Sequence, residues 1–573
     1  MPERDPDSSR GFPTRLLDWP LAIALLAGIY LALALALPPS SVWISDEGNR
    51  LIAIKAMAAG NGLDIPNPAF YISRELSSFP PPYFVKSAVG SVHSGYHPSF
   101  PALCALPYWA MGTSGARSVP LIASLLCSLL AALMAKELGA DGRARFIAAI
   151  ACGLCTPLAF YSQTVLEIST ASALCALSAL LALKAIEQGE AEDRLKIKTL
   201  ALAGLLAGLA CAFREEGMLA AASCLAGLML CGIGWRKGLA FALLCGIALL
   251  PLWAFNLHDS GSVMGLHAKI YASIDGGRSL LQRLSDAPFN AWFFLLKPNF
   301  NSIIAQAAAG APFMLAALAG LSKRTDFKIA ALACCLLAAI ANFIALALSA
   351  EPLGLMLTHQ SLAASLPLAA IPLAFLNKAW DGSSLKLRFL IVSCGLYALL
   401  AGALLTASSA GVFWGARHFM PIAPQLCALS AFLLAASMPQ ALRAIGFALI
   451  AASLLLQACA LNTFIAKRGF SAELLRAAQP GSIVATDIFW TPEEFALAPE
   501  SASIVYLRNA EDLKTLVELK KPFTLLLSKH FRKLPNEASA WLLENVDLMP
   551  GPTLSHPKLA LLELQAFECR PKN

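Results

Sequence analysis

The chain has 573 residues, of which 57% are hydrophobic and 14% charged, with a mean hydropathy of +0.64. A soluble protein carries roughly a quarter charged residues, whereas the apolar residues here gather in runs of about 17–23, the length that crosses a bilayer. This excludes an ordinary soluble protein, and it makes the net charge of +7 a question of which side of a membrane each charge lies on rather than a sign of nucleic-acid binding.

Residues 1–19 form a polar tail with Arg4, Arg10 and Arg15. The apolar run after it ends at Leu37, before Pro38-Pro39, with no small-residue cleavage site, so it reads as an uncleaved first helix. The spans expected from apolar run length are 20–37, 117–136, 145–160, 165–186, 198–213, 216–234, 237–255, 302–321, 327–349, 355–376, 387–407, 418–437 and 441–463, about thirteen in all. The run 101–112 holds Pro101 and Pro107 and is too short to span; it is expected to be interfacial or re-entrant.

Charge bias orients these spans. With the N-terminus in the cytoplasm, the inward segments carry Lys and Arg throughout, for example Lys136, Arg143 and Arg145, or Lys323, Arg324 and Lys328. The short outward turns carry only Arg214 and Arg417. This positive-inside pattern makes 20–465 a transmembrane domain with two long outward loops, 38–116 and 256–300, and puts the C-terminal segment outside. Residues 470–573 change character: strand-length runs at Ser482–Thr486, Ser503–Leu507 and Thr524–Ser528 alternate with helix-like Pro492–Leu497 and Ala510–Glu518. That alternation predicts a small α/β domain with a largely parallel sheet. It has no GxGxxG and no P-loop, so an accessory or lid role is expected of it. The fold class is therefore all-α polytopic membrane protein with a small C-terminal α/β extracytoplasmic domain.

Candidate chemistry gathers at the outward face. Asp46 and Glu47 follow the first span, ahead of a stretch, Asn49 to Ala59, that can form an amphipathic interfacial helix. They either cap that helix or supply a general base. The turn Tyr96-His97-Pro98 approaches the membrane, and His97 either fixes the proline turn or binds phosphate. Glu167 opens the fourth span, where an ionisable group is costly and a functional candidate. Arg214-Glu215 forms an outward turn and Arg417-His418 opens the twelfth span. An arginine held there either snorkels or binds phosphate oxygens through its planar fork. The second loop adds His258, His267, Lys269 and Tyr271 as headgroup contacts. The fifteen cysteines lie mostly within apolar runs, without zinc spacing.

These places, together with the Gly415-Ala416-Arg417-His418-Phe419-Met420-Pro421 segment, resemble the integral-membrane glycosyltransferases of GT-C fold, in particular the protein mannosyltransferase and aminoarabinose transferase branch. The resemblance covers roughly residues 15–465. It implies that Asp46 activates the acceptor, with Glu47 and Glu167 in support. Arg417, Arg214, His97, His418 and Lys269 would hold the donor phosphate, and Glu215 and Tyr96 would support the acceptor. The lysine- or proline-rich turn usual in the family is here His97-Pro98-Ser99-Phe100.

The expected function is an extracytoplasmic, inverting glycosyltransferase of a bacterial inner membrane. A sugar would pass from a polyprenyl-phosphate carrier, the only cofactor-like group expected, to a lipid, glycan or protein acceptor. A bound divalent metal suits this chemistry, but too few acids cluster to argue for one. Two rivals stand beside it: a polymerase or ligase of lipid-linked glycans, and a transporter or flippase. A transporter usually shows internal repeats and polar broken helices at mid-membrane; here the spans are Ala/Leu-rich and the acids sit at one face.

Overall fold

A helix satisfies every backbone N–H and C=O within one apolar segment, and most of the apolar runs fold as helices. The computed structural model describes residues 18–572 except 82, 87–88, 188–192, 275–279, 298–301, 350, 357–360, 382–383, 406–412, 437, 529 and 531–535. The tail with Arg4, Arg10 and Arg15 and the side chain of Tyr271 lie outside the described residues.

The chain opens with α1 (Trp19–Ala36), capped by Asp18, and α2 (Ser45–Ala58). A three-stranded antiparallel sheet follows, β1 (Ile65–Pro66), β2 (Phe84–Lys86) and β3 (Ser91–Ser94), in the order β1-β3-β2. Next come α3 (Ser99–Met111), α4 (Thr113–Glu137), α5 (Gly142–Leu154), α6 (Ile168–Glu187), α7 (Asp193–Phe213), α8 (Glu216–Leu230) and α9 (Trp235–Ser260). The second long loop carries α10 (Gly265–Ile274). The helical body ends with α11 (Ile303–Leu321), α12 (Thr325–Ala347), α13 (Leu385–Leu404), α14 (Ala423–Ala435) and the 36-residue α15 (Gln440–Leu475).

Among the described residues, ten helical stretches are long and apolar enough to cross a membrane: α1, α4, α6, α7, α9, α11, α12, α13, the run Arg417–Ala435 and α15. The chain is an integral membrane protein. Three expected spans take another form. In 145–160, α5 stops at Leu154 and Pro157 starts a separate turn, because the residue before proline is pushed out of the α region. The expected 216–234 span is the 15-residue α8, which ends ahead of Gly232 at φ +81°. At 1.5 Å per residue α8 is about 22 Å long, short of a bilayer core.

The expected 355–376 span breaks into single turns, Leu362–Ser365, Pro367–Ala369 and Ala370–Leu373, at two prolines. Irregular backbone among apolar helices needs partners, and these turns have them. Leu368 N–H donates to Ser453 Oγ at 3.0 Å, and Gln457 Nε2 donates to the Ser365 carbonyl at 2.8 Å. The short run 101–112 is the helix α3, joined to α4 through Gly112 at φ +60°.

The C-terminal segment forms a five-stranded sheet, β4 (Ile483–Thr486), β5 (Ser503–Tyr506), β6 (Phe523–Ser528), β7 (Val546–Leu554) and β8 (Leu564–Pro571), in the order β5-β4-β6-β8-β7. Its helices are α16 (Thr491–Glu494), α17 (Ala510–Glu518) and α18 (Asn536–Asn545). The first three strands are parallel, as expected, but β7 and β8 add an antiparallel hairpin, so the sheet is mixed. The first long loop packs into this domain. Ala69 and Leu76 join its apolar core, and Tyr506 N–H on β5 donates to the Ser77 carbonyl at 2.8 Å. The long loops and the C-terminal domain therefore share one end of the helix bundle.

Candidate functional site

At the loop-bearing end the helices part around a cavity of about 320 Å³. Its walls come from α2, the β3–α3 turn, the residues before α6, the α7–α8 turn, α10 and the start of the Arg417–Ala435 run. Ten acid, arginine and histidine side chains line it: Asp46, Arg50, His97, Glu167, Arg214, Glu215, Glu216, His267, Arg417 and His418. So many charges at a bundle end persist only if each is paired or wet.

Asp46 lies in the first turn of α2, which starts where extended Ile44 gives way to helix. The Tyr96 hydroxyl donates to Asp46 Oδ1, and the side chain keeps 24% of its surface exposed to the cavity. One turn on, Arg50 lies 3.5 Å above the Tyr96 ring. Its Nε and Nη2 donate to Glu167 at 3.0 and 2.9 Å, a two-pronged grip on one carboxylate. Arg214 joins the same carboxylate at 3.2 Å and donates to both oxygens of Glu216 at 3.1 and 2.6 Å. Glu216 also bonds His418 Nδ1, and Arg417 Nε donates to His418 Nε2 at 3.2 Å. A continuous chain of ion pairs and hydrogen bonds thus runs Arg50, Glu167, Arg214, Glu216, His418, Arg417. The Arg417 guanidinium lies 3.5 Å from the Phe413 ring centre.

Glu215 faces the cavity mouth. His267 Nδ1 approaches it at 3.1 Å and His97 Nε2 at 3.8 Å. Burial alone would raise the Glu215 carboxyl, but the two histidines outweigh it and hold the group down at about 2. This acid ties the α7–α8 turn to both long loops.

Of the residues singled out from the sequence, Asp46, Tyr96, His97, Glu167, Arg214, Glu215, Arg417 and His418 meet in this cavity. Glu47 and Lys269 do not. Successive helix residues point about 100° apart, which turns Glu47 away from Asp46 into the protein. Glu47 is fully buried and accepts from Trp43 N–H at 2.6 Å, Val165 N–H at 2.8 Å and Arg468 Nη2 at 2.7 Å. Lys269 donates to the Ser260 carbonyl beyond the cavity. Nor does α2 lie along an interface: none of its residues is exposed, because α3 and α16 cover it.

His267, expected from the sequence as a headgroup contact, also lines the cavity. Two further cavity residues carry no expectation of their own: Arg50, the i+4 neighbour of Asp46 on a helix, and Glu216, the second acid of the Arg214 turn. Among the described residues no three His, Cys, Asp or Glu side chains are grouped to hold a metal ion.

Fold and site together define a polytopic membrane protein with a charged cavity between its loops and its helix ends. No family model and no curated protein matches the chain. Among solved structures it is similar to ArnT from Cupriavidus metallidurans bound to undecaprenyl phosphate, at 11% identity over 95% of this chain and 97% of that one, with a TM-score of 0.45. It is also similar to the Archaeoglobus fulgidus oligosaccharyltransferase in the apo form, at 12% identity over 89% of this chain and 69% of that one, TM-score 0.49. The archaeal oligosaccharyltransferase AglB from Archaeoglobus fulgidus, in complex with an inhibitory peptide and a dolichol-phosphate, gives 13% identity, the same coverage and a TM-score of 0.49.

Proposed function

We propose that this protein is an inverting glycosyltransferase that moves a sugar from a polyprenyl-phosphate carrier to a lipid, glycan or protein acceptor at the extracytoplasmic face of a bacterial inner membrane. One observation carries the reading: Asp46, still reachable at 24% exposure, opens into the same cavity as Arg417 and Arg214. A carboxylate opposite arginines suits a reaction whose nucleophile loses a proton while its leaving group departs as a phosphate anion.

Asp46 takes the proton from the acceptor hydroxyl or amine. The freed oxygen or nitrogen attacks the anomeric carbon from the side opposite the phosphate, and the bond from that carbon to the phosphate oxygen breaks. Both electrons of that bond leave with the phosphate, so positive charge serves in place of an acid. Arg417 is the first donor ligand, its plane set by Phe413 and His418, with His97 nearby at the mouth. Glu167 is read as a positioning acid, because both its oxygens are already engaged by Arg50 and Arg214. Glu47 is read as structural. An acid and arginines at one end of the bundle favour an enzyme over a path through the membrane.

The test compares surface glycans and lipid-linked sugars by mass spectrometry in three strains: one lacking the protein, one with it restored and one carrying Asp46→Asn at matched membrane levels. Loss of one sugar from an envelope molecule, build-up of its lipid-linked donor, and the same profile in Asp46→Asn support the proposal. A wild-type profile in Asp46→Asn removes Asp46 as the base and moves the glycan-ligase reading ahead.

A further inference from the structure

The C-terminal domain reaches the cavity from behind. Its short helix α16 is seated on the first turn of α2, the turn that carries Asp46. The seat depends on Gly48: a Cβ added there would fall on the Glu493 carbonyl oxygen and lie 2.9 Å from the Glu493 Cβ. Both acids of α16 are buried, Glu493 at 2% and Glu494 at 3% exposure. They are not alike. Glu494 accepts from Lys467 Nζ and from Ser471 Oγ, each at 2.7 Å. Glu493 Oε2 is buried with no hydrogen-bond partner among the described residues.

The cations around Glu493 are engaged elsewhere. Lys467 on α15 is bound to Glu494, Arg468 to Glu47, and Lys55 on α2 donates to the Ala496 carbonyl at 3.3 Å. The charges left facing Glu493 are those of Asp46 and of its neighbour Glu494. With Oε2 buried and unpartnered, an ionised Glu493 would be costly, and a protein avoids that cost by keeping the group neutral. Burial raises the Glu493 carboxyl well above its ordinary 4.5 against a hydrogen bond from its own backbone N–H, and the nearby charges of Asp46 and Glu494 add to the rise.

We propose that Glu493 is a positioning residue for Asp46: a neutral carboxyl of the C-terminal domain, packed on Gly48 behind the first turn of α2, which fixes that turn and adds no charge beside the acid in the cavity. The inference rests on the reading of Asp46 as the base. It gives the C-terminal domain a part in the reaction centre instead of a distant lid. An ionised Glu493 would repel Asp46 and press α16 off α2; a neutral one does neither. The charge of Asp46 is one of the causes that raise the Glu493 carboxyl, so its removal must register at Glu493.

The measurement is pH-titrated infrared difference spectroscopy on the purified full-length protein in detergent, comparing wild type, Glu493→Gln and Asp46→Asn. The protonated-carboxyl band of Glu493 is expected in wild type at pH 7 and absent from Glu493→Gln. In Asp46→Asn its loss on raising pH is expected to begin at lower pH, because a like charge has gone. On transfer itself, the wild-type rate is expected to fall at alkaline pH while Glu493→Gln, which cannot ionise, extends the active range upward. No such band at pH 7, an unmoved titration in Asp46→Asn, or identical pH profiles would each overturn the inference. The two readings fail separately. Asp46→Asn that still transfers sugar removes the base, whereas an inactive Asp46→Asn with an unmoved Glu493 band removes only the coupling.

Discussion

Arg50 grips Glu167 through two N–H donors, at 3.0 and 2.9 Å, although 117 residues separate them in the chain. The pair joins the first long loop to the start of α6. Breaking a buried pair from one side costs about 3–5 kcal/mol, since the other charge stays behind. Glu167→Gln leaves Arg214 with Glu216 and Arg50 with only the Asp46 carboxylate at 3.9 Å, so it is expected to lower the melting temperature in detergent clearly and to abolish transfer. Arg50→Lys is expected to rescue neither fully, because an ammonium cannot reproduce the two-pronged geometry. A wild-type melting curve for Glu167→Gln would show the pair to be incidental.

Arg417 lies against Phe413 and donates to His418, which fixes its plane; under the proposed function that plane receives the donor phosphate. Arg417→Ala is expected to raise the donor concentration needed for half-maximal transfer by about tenfold or more, the loss of one charge-assisted contact. Arg417→Lys should recover a minor part, keeping the charge and losing the fork. Donor titrations in membranes of matched protein content decide this. Equal donor dependence in all three would assign phosphate binding elsewhere in the cavity.

The membrane helices were legible in the sequence because a span is a long signal: one run of apolar residues, one helix. The failures are short-range. Pro157, Pro367 and Pro372 interrupt runs whose average hydropathy still looks continuous, and side chains such as Ser453 and Gln457 satisfy the broken backbone from distant positions. The hairpin β7–β8 was missed because Pro550 and Pro552 mark β7 as an edge strand, with a bulge between Pro550 and Thr553. At the site, single acids and bases were found as types, but the geometry that separates Asp46 from Glu47 is a matter of helix phase. What Glu47 meets, Arg468, lies 421 residues away, and no local pattern announces it.

Gly48 offers a test of the domain seat that leaves every charge in place. Its backbone is ordinary helix, so the effect of Gly48→Ala comes from space and not from strain in φ. The new methyl group meets the Glu493 carbonyl, and forcing extra carbon into a packed contact costs about 1–3 kcal/mol. The C-terminal domain is expected to loosen: limited proteolysis should cut within residues 470–573 faster than in wild type, and transfer should fall. Cleavage at the wild-type rate would show that α16 is not held by this contact.

The Glu215 clamp predicts a pH dependence of definite sign. The carboxyl has an ordinary value of 4.5 and is held at about 2 by His267 and His97 against the upward pull of burial. A group whose folded value lies below its unfolded one adds stability above the unfolded value, and that stability is lost as pH falls through the folded one. The clamp is therefore present above the ordinary 4.5, as far up as the histidines stay protonated, and fades toward about pH 2. Glu215→Gln removes it at every pH. Melting temperatures of wild type and Glu215→Gln are expected to differ at about pH 5, wild type higher, and to converge as the buffer is taken from about pH 5 to about pH 3. A gap that held constant over that range would assign the effect to packing of the α7–α8 turn and not to the charge of Glu215.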